Sequence, residues 1–196
     1  MKHLRYWILC GATIIFLAPS VFAQDGKAKA RLAEIRAAYT EAMNLAKSNQ
    51  DANNKNTMVF QSVQTDPGGV WKRKLDFIYS LAYFEELDFY YPVVKLIRQT
   101  NDTSFQEFLY DEDGVLMFVF ERIPPLEEGD PTLEYRYYYD GGVPFWRIFK
   151  SVDPASKKVL ENSQGGIEEA DGSAYFLTRV ATDLHAAFEA LTVMYE

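Results

Sequence analysis

Two periodicities divide the chain. Over residues 27–47, apolar side chains recur three and four positions apart at Leu32, Ile35, Tyr39, Ala42 or Met43, and Ala46. Ala, Lys, Glu and Arg fill the gaps, which predicts an amphipathic helix. A second such stretch runs over residues 173–195. Asp171 or Ser173 can cap it, and Phe176 or Leu177, Val180, Leu184, Ala187, Phe188 and Leu191 form its apolar stripe. Between them the period falls to two. Three turn sequences lie between aromatic and β-branched runs and predict hairpins: Asp66-Pro67-Gly68-Gly69, Asp111-Glu112-Asp113-Gly114 and Asp140-Gly141-Gly142. Residues 87–98 supply a further strand, where Pro92 marks an edge or a bulge. Asn101-Asp102 turns it back into residues 105–110, and a short strand falls near Val159-Leu160. The expected fold class is α+β: a curved antiparallel β-meander of six or seven strands flanked by N- and C-terminal helices.

Charge and side-chain matching set the expected registers. In the first hairpin a Pro67-Gly68 loop pairs Phe60 with Leu75 and Met58 with Phe77. In the middle one, Gly114 in the left-handed region pairs Asp111 with Val115, sets Tyr110 opposite Leu116 and puts Phe108 opposite Phe118. In the third, an Asp140-Gly141 loop places Tyr135 opposite Trp146 and Glu134 opposite Arg147. A Gly141-Gly142 loop would set Arg136 against Arg147, so the first register is preferred on charge.

Tyr110-Asp111-Glu112-Asp113-Gly114-Val115-Leu116 resembles a YD-type hairpin repeat, and Tyr137-Tyr138-Tyr139-Asp140-Gly141-Gly142-Val143 resembles a degenerate second copy. The layout is similar to small uncharacterised secreted proteins of Bacteroidetes, with Tyr/Phe-rich meanders. That resemblance implies a meander and no particular activity.

The N-terminus changes the reading of the rest. Lys2, His3 and Arg5 precede an apolar run, and Val21 and Ala23 stand at the spacing a signal peptidase reads, so residues 1–23 are expected to be a signal peptide. Residues 24–196 then form a single α+β domain, periplasmic or secreted, in a bacterium. Cys10 lies within the apolar run behind a bulky Leu9, which is unlike a lipoprotein box. The mature chain would hold no cysteine, hence no disulfide, and one histidine, His185. Loss of Lys2 and Arg5 moves the formal charge from −8 to −10, which opposes nucleic acid and anionic lipid. No later run reaches the roughly 18 apolar residues of a membrane span.

Candidate chemistry is sparse. His185 precedes Glu189 by one helical turn and has no Gly-x-Ser-x-Gly nucleophile to serve. Zinc fails on ligand count, and Asp111-Glu112-Asp113-Gly114 lacks the later oxygens of a calcium loop, so no metal and no cofactor are expected. The Asn101-Asp102-Thr103 sequon reads as a turn. Acids cluster at Glu85-Glu86-Asp88, Glu127-Glu128-Asp130 and Glu168-Glu169-Asp171. Glu121 and Glu134, which end and begin consecutive strands, would be the pair to examine for glycoside hydrolysis. The best binding candidate is the strand that alternates Tyr135, Tyr137 and Tyr139 with Arg136 and Tyr138, extended by Trp146 and Arg147. The expectation is an exported, non-enzymatic binding module using that aromatic/Arg sheet face. Its partner would be a protein, a glycan or a small apolar ligand. A carrier of lipophilic ligands in a half-barrel and a carboxylate-dependent glycoside hydrolase are the alternatives.

Overall fold

The computed structural model describes residues 18–48, 56–66, 69–86, 88–167 and 172–193. Most of the expected signal segment, the Pro67-Gly68 loop and the acids Glu168, Glu169 and Asp171 lie outside them. The chain divides into two units, Met1–Glu34 and Ile35–Glu196. In the first, the described residues belong to α1 (Ala18–Ser48), which continues into the second.

Among the described residues the second unit adds eight strands and a second helix. The strands are β1 (Thr57–Asp66), β2 (Gly69–Phe84), β3 (Phe89–Asn101), β4 (Phe105–Tyr110), β5 (Leu116–Ile123), β6 (Thr132–Asp140), β7 (Val143–Val152) and β8 (Val159–Gly166); α2 (Gly172–Val193) follows. They form one open antiparallel sheet in chain order, each strand pairing only with its sequence neighbours. This is the expected α+β meander, with eight strands rather than six or seven: the short strand foreseen near Val159-Leu160 extends to Gly166 and completes the sheet.

Alternation sends each strand's side chains to two faces. On one, Phe77, Ile97, Phe108, Val119 and Tyr137 stand side by side across β2 to β6 and are at most 2% exposed. α2 lies over them through Ala174, Leu177, Ala181, Leu184 and Phe188, a stripe with alternating steps of three and four. Leu177, not Phe176, is therefore the buried member of that expected pair. The Tyr110 and Tyr139 hydroxyls donate to the Ala181 and Ala174 carbonyls at 2.7 and 3.1 Å, so both buried phenols are satisfied and tie the helix to the sheet. On the opposite face lie residues 35–48 of α1. Tyr39 meets Phe118 edge-on at 5.2 Å, and the small Ala42 and Ala46 are buried.

The registers correct two expectations. The first hairpin pairs Phe60 with Leu75 and Met58 with Phe77, as expected. In the middle hairpin Gly114 is left-handed (φ 75°) and Tyr110 faces Leu116, but Phe118 pairs with Leu109 and Val119 with Phe108. Met117 is an extra residue there, so a bulge puts Phe108 and Phe118 on opposite faces. In the third hairpin the loop is Gly141-Gly142, with φ of 56° and 78°, the signs a primed turn needs. The Arg136–Arg147 clash does not follow from that loop. Tyr139 pairs with Pro144 and Tyr138 with Trp146, so Phe145 is bulged, and Arg136 comes opposite Ile148 and Arg147 opposite Tyr137. Tyr135 faces Phe149 and Glu134 faces Lys150.

Candidate functional site

β2 and β3 outrun their neighbours. β1 begins opposite Ile78, and β4 reaches β3 no further than Leu96. Beyond those rungs the pairs from Tyr79–Val94 to Phe84–Phe89 form, among the described residues, a two-stranded ribbon, roughly 20 Å long at about 3.3 Å per residue. Its side chains are apolar on both faces: alternation puts Leu81, Tyr83, Tyr90 and Pro92 on one and Ala82, Phe84, Phe89 and Tyr91 on the other. Six large apolar side chains (Leu81, Tyr83, Phe84, Phe89, Tyr90 and Tyr91) are 37–67% exposed.

A bare two-stranded ribbon is marginal in water, so something local must hold this one. Tyr83 packs on Tyr90 at 5.0 Å and Phe84 on Phe89 at 5.8 Å, both across paired positions. At the tip Asp88 takes the left-handed region (φ 52°) and accepts the Tyr83 hydroxyl at 2.6 Å. That hydrogen bond raises the Tyr83 pKa. Glu85, Glu86 and Asp88 are exposed and make the turn acidic. At the root a pocket of about 390 Å³, lined by Met58, Tyr79, Leu81, Tyr90 and Pro92, reaches Thr192 of α2. The ribbon thus exposes rings on both faces beneath an anionic cap.

A groove of about 660 Å³ lies beside the ribbon's base on the α1 side. Ala38, Ala42, Leu45, Leu109 and Met117 give it an apolar lining, and Glu41, Lys95, Asp111 and Glu112 supply charge. Two bulges help to shape it, since Lys95 and Met117 are the extra residues of β3 and β5. Lys95 pairs with Glu112 at 3.5 Å.

The same face of the sheet holds a charged cluster. Glu107, with a side chain 4% exposed, accepts from Arg98 Nε at 2.8 Å and from the Tyr39 hydroxyl, while Arg98 Nη2 reaches Met43 Sδ at 2.8 Å. Burial, and then the bond to Glu107, raise the Tyr39 pKa. Both acidic oxygens are thus engaged, which makes Glu107 a packing anchor. On the other face a chain of donors runs from Arg73 to Gln99, from Gln99 to Gln106 at 3.1 Å and from Gln106 to Glu121 at 2.6 Å. It satisfies the buried amides of both glutamines.

The six residues of the expected aromatic/Arg face do not form one open surface. Tyr137 and Tyr138 are buried on opposite faces; Tyr135, Arg136 and Trp146 are half-buried; Arg147 is exposed. Tyr138 packs on Phe118 at 5.1 Å, and Tyr135 on Phe149 at 5.0 Å. Arg136 lies over Phe120 at 5.0 Å and donates to Glu134 at 3.1 Å. Glu121 pairs with Tyr135 and Glu134 with Arg122, so alternation sends the two acids to opposite faces and they make no hydrolytic pair. His185 pairs with Glu189 at 3.6 Å and lies 5.2 Å from the Tyr110 ring. Asp111 Oδ1 accepts the Asp113 and Val115 amides at 3.0 and 2.8 Å, committing it to its own turn.

The ribbon escaped the sequence reading. Its signal is a loss of alternation, with Tyr83-Phe84 and Phe89-Tyr90-Tyr91 set around three acids. Consecutive apolar residues ordinarily mean burial on both faces. The chain matches no protein-family model, no curated protein and no solved structure.

Proposed function

We propose that the protein is an exported, non-enzymatic binding module of the bacterial periplasm or exterior, and that its binding surface is the β2–β3 ribbon. The observation that carries this reading is the concentration of exposed rings on an element with no neighbouring strand among the described residues. Contiguous exposed apolar surface of this kind marks interaction sites, and tyrosine is among the residues that dominate them. The ribbon rather than β6 is the surface, because the β6 tyrosines are consumed by packing. Its partner is a protein, a glycan or a small apolar ligand.

A photo-crosslinking residue at Tyr90, 67% exposed, with one at Phe176 of α2, 64% exposed, as a comparably accessible control, tests this in producing cells. The expected result is a discrete adduct from position 90 alone. Equal labelling from both positions, or none, overturns the reading. Export is tested by sequencing the N-terminus of the mature protein: Gln24 is expected, and retention of residues 1–23 refutes it.

The groove under α1 favours a second reading, a carrier of a small lipophilic ligand. Its volume of about 660 Å³ suits a drug-sized molecule. Ala42→Trp would fill it and should abolish binding of a fluorescent fatty acid; an unchanged affinity removes this reading.

A further inference from the structure

We infer that the open edge of β2 in the ribbon pairs with the same edge of a second copy of this chain, so that the two sheets become continuous. The inference rests on the ribbon being the binding surface. Backbone direction identifies the edge. The Tyr79 N–H donates to the Asn56 carbonyl at 3.1 Å, so Tyr79 turns its peptide groups toward the β1 side. Alternate residues of a strand turn theirs the same way. Leu81 and Tyr83 therefore aim their N–H and C=O groups past the start of β1, where they meet no hydrogen-bond partner among the described residues.

The ribbon's other edge is guarded. Pro92 pairs with Leu81, so it faces outward on β3 and has no N–H to offer, and the bulged Lys95 interrupts that edge further along. On β2, Tyr79-Ser80-Leu81-Ala82-Tyr83-Phe84 holds neither proline nor charge. An unguarded strand edge is a template for another strand.

The β2 segment is complementary to itself. Two copies of one edge meet antiparallel about a two-fold axis normal to the sheet, which keeps each residue on its own face. An axis at Ala82 sets Leu81 opposite the partner's Tyr83, and Tyr83 opposite the partner's Leu81. Those pairs exchange N–H···O bonds and satisfy the open groups of both residues. Ala82 then meets the partner's Ala82 in a non-hydrogen-bonded pair, the narrowest rung of the ladder at about 4.5 Å between Cα atoms. It is the smallest side chain of the segment. An axis at Leu81 would instead draw on Tyr79, whose N–H Asn56 already holds. Ser80 comes opposite the partner's Phe84, beside the groove under α1 that Ser80 lines, and the partner's Tyr83 comes beside the pocket that Leu81 lines. Small side chains thus meet large ones where there is room for a ring. The overlap ends at Phe84, because the next position would meet Asn56. The acidic tips point away from the axis, and Glu85 of one copy lies about 20 Å from Glu85 of the other, beyond the ~8 Å screening length of physiological salt. With the β3 edge guarded, growth stops at a dimer.

Thiol scanning of protein purified from producing cells tests this, in a Cys10→Ser background that holds no other cysteine. Under mild oxidation Ala82→Cys should form a covalent dimer, since its paired Cα spacing lies within disulfide reach. Ser80→Cys alone and Phe84→Cys alone should stay monomeric, each being roughly 13 Å from its own counterpart, while a mixture of the two should crosslink. Sedimentation velocity reads the reversible association. The contact is small beside the about 20–30 residues a side of a standard interface, so the wild type should form a weak dimer that grows with concentration. Ala82→Lys and Ala82→Glu each set like charges face to face and should weaken it by about fivefold or more. Their equimolar mixture should dimerise again, which shows that both fold. A monomeric Ala82→Cys variant, equal crosslinking at all three positions, or association that both charged variants retain overturns the inference. If the Tyr90 crosslink joins a different molecule and Ala82→Cys stays monomeric, the second copy is excluded while the ribbon stands as the binding surface. Absence of any Tyr90 adduct removes the ribbon itself.

Discussion

Gly114 offers a test in which two physical causes can be separated. It sits at φ 75° in the β4–β5 turn, and a Cβ built there would lie 2.5 Å from His185 Nε2. Alanine at this site meets two penalties. The left-handed backbone costs an L-residue about 1–2 kcal/mol. Forcing a methyl against the imidazole adds about 1–3 kcal/mol of overpacking, because the ring is wedged beside Tyr110 and can retreat only partly. Reduced freedom of the unfolded chain returns roughly 0.4–1 kcal/mol. Gly114→Ala should therefore destabilise by about 2–4 kcal/mol, and His185→Ala should relieve the steric part alone. Urea unfolding followed by tryptophan fluorescence, on wild type, both single variants and the double variant, gives the coupling. The expected coupling is about 1–3 kcal/mol, with Gly114→Ala costing about 1 kcal/mol in the His185→Ala background. If Gly114→Ala costs the same in both backgrounds, the imidazole contact is not the cause. If it costs nothing in either, the left-handed turn is also refuted.

Three further outcomes follow from polar groups held by hydrogen bonds. Burial raises the pKa of Tyr39 and Tyr110 above the usual 10.0, with the Glu107 bond adding at Tyr39. Folded protein therefore holds these protons more tightly than unfolded protein. Stability should be full below roughly pH 10 and fall as pH rises past it, and Tyr110→Phe should flatten that fall in denaturant midpoints taken from pH 8 to 11. Glu107→Ala strands the Arg98 guanidinium, whose side chain is 19% exposed, and should cost about 3 kcal/mol by urea melt. Arg98→Met with Glu107→Leu should recover most of that loss, and a double variant no better than the single would refute the ion pair as the cause. Asp153 accepts the Ala155 and Ser156 amides at 2.8 Å each, and the Ser156 bond, then the Ala155 bond, lower its pKa from 3.8. Its contribution is present above that value and lost as pH falls through the lower folded one. NMR titration of those two amides should show a midpoint below 3.8, and one at or above it refutes the turn.

The helices and the order of strands were legible because each rests on a local cue: spacing in Leu177, Leu184 and Phe188, and turn chemistry at Gly114 and Gly141-Gly142. The registers were only partly legible, since a bulge inserts one residue without a sequence mark. At Phe145 the charge argument chose the wrong loop, although Arg136 and Arg147 are kept apart. The sheet achieves this with a bulge rather than by moving the loop. Residues of β6 misled for a related reason. A tyrosine on either face of a central strand finds a helix or a neighbouring ring to cover it, and the sequence of one strand does not say how many strands flank it.

That dependence on neighbours also explains why the exposed ribbon was the least legible part of the chain. Tyr83, Phe84, Phe89 and Tyr90 would be core residues if β1 and β4 extended to meet them. They are exposed because β1 begins opposite Ile78 and β4 reaches no further than Leu96. Exposure here is a property of strand lengths compared across the sheet, and no window of sequence contains that comparison. The three acids at the tip point the same way. A buried hairpin end would have to neutralise them, while Glu85 and Glu86 stay exposed, and the Asp88 carboxylate accepts one tyrosine hydroxyl. A solvated anionic cap at the end of an apolar ribbon is what water tolerates there, and it keeps the hairpin end, and the rings beside it, at the surface.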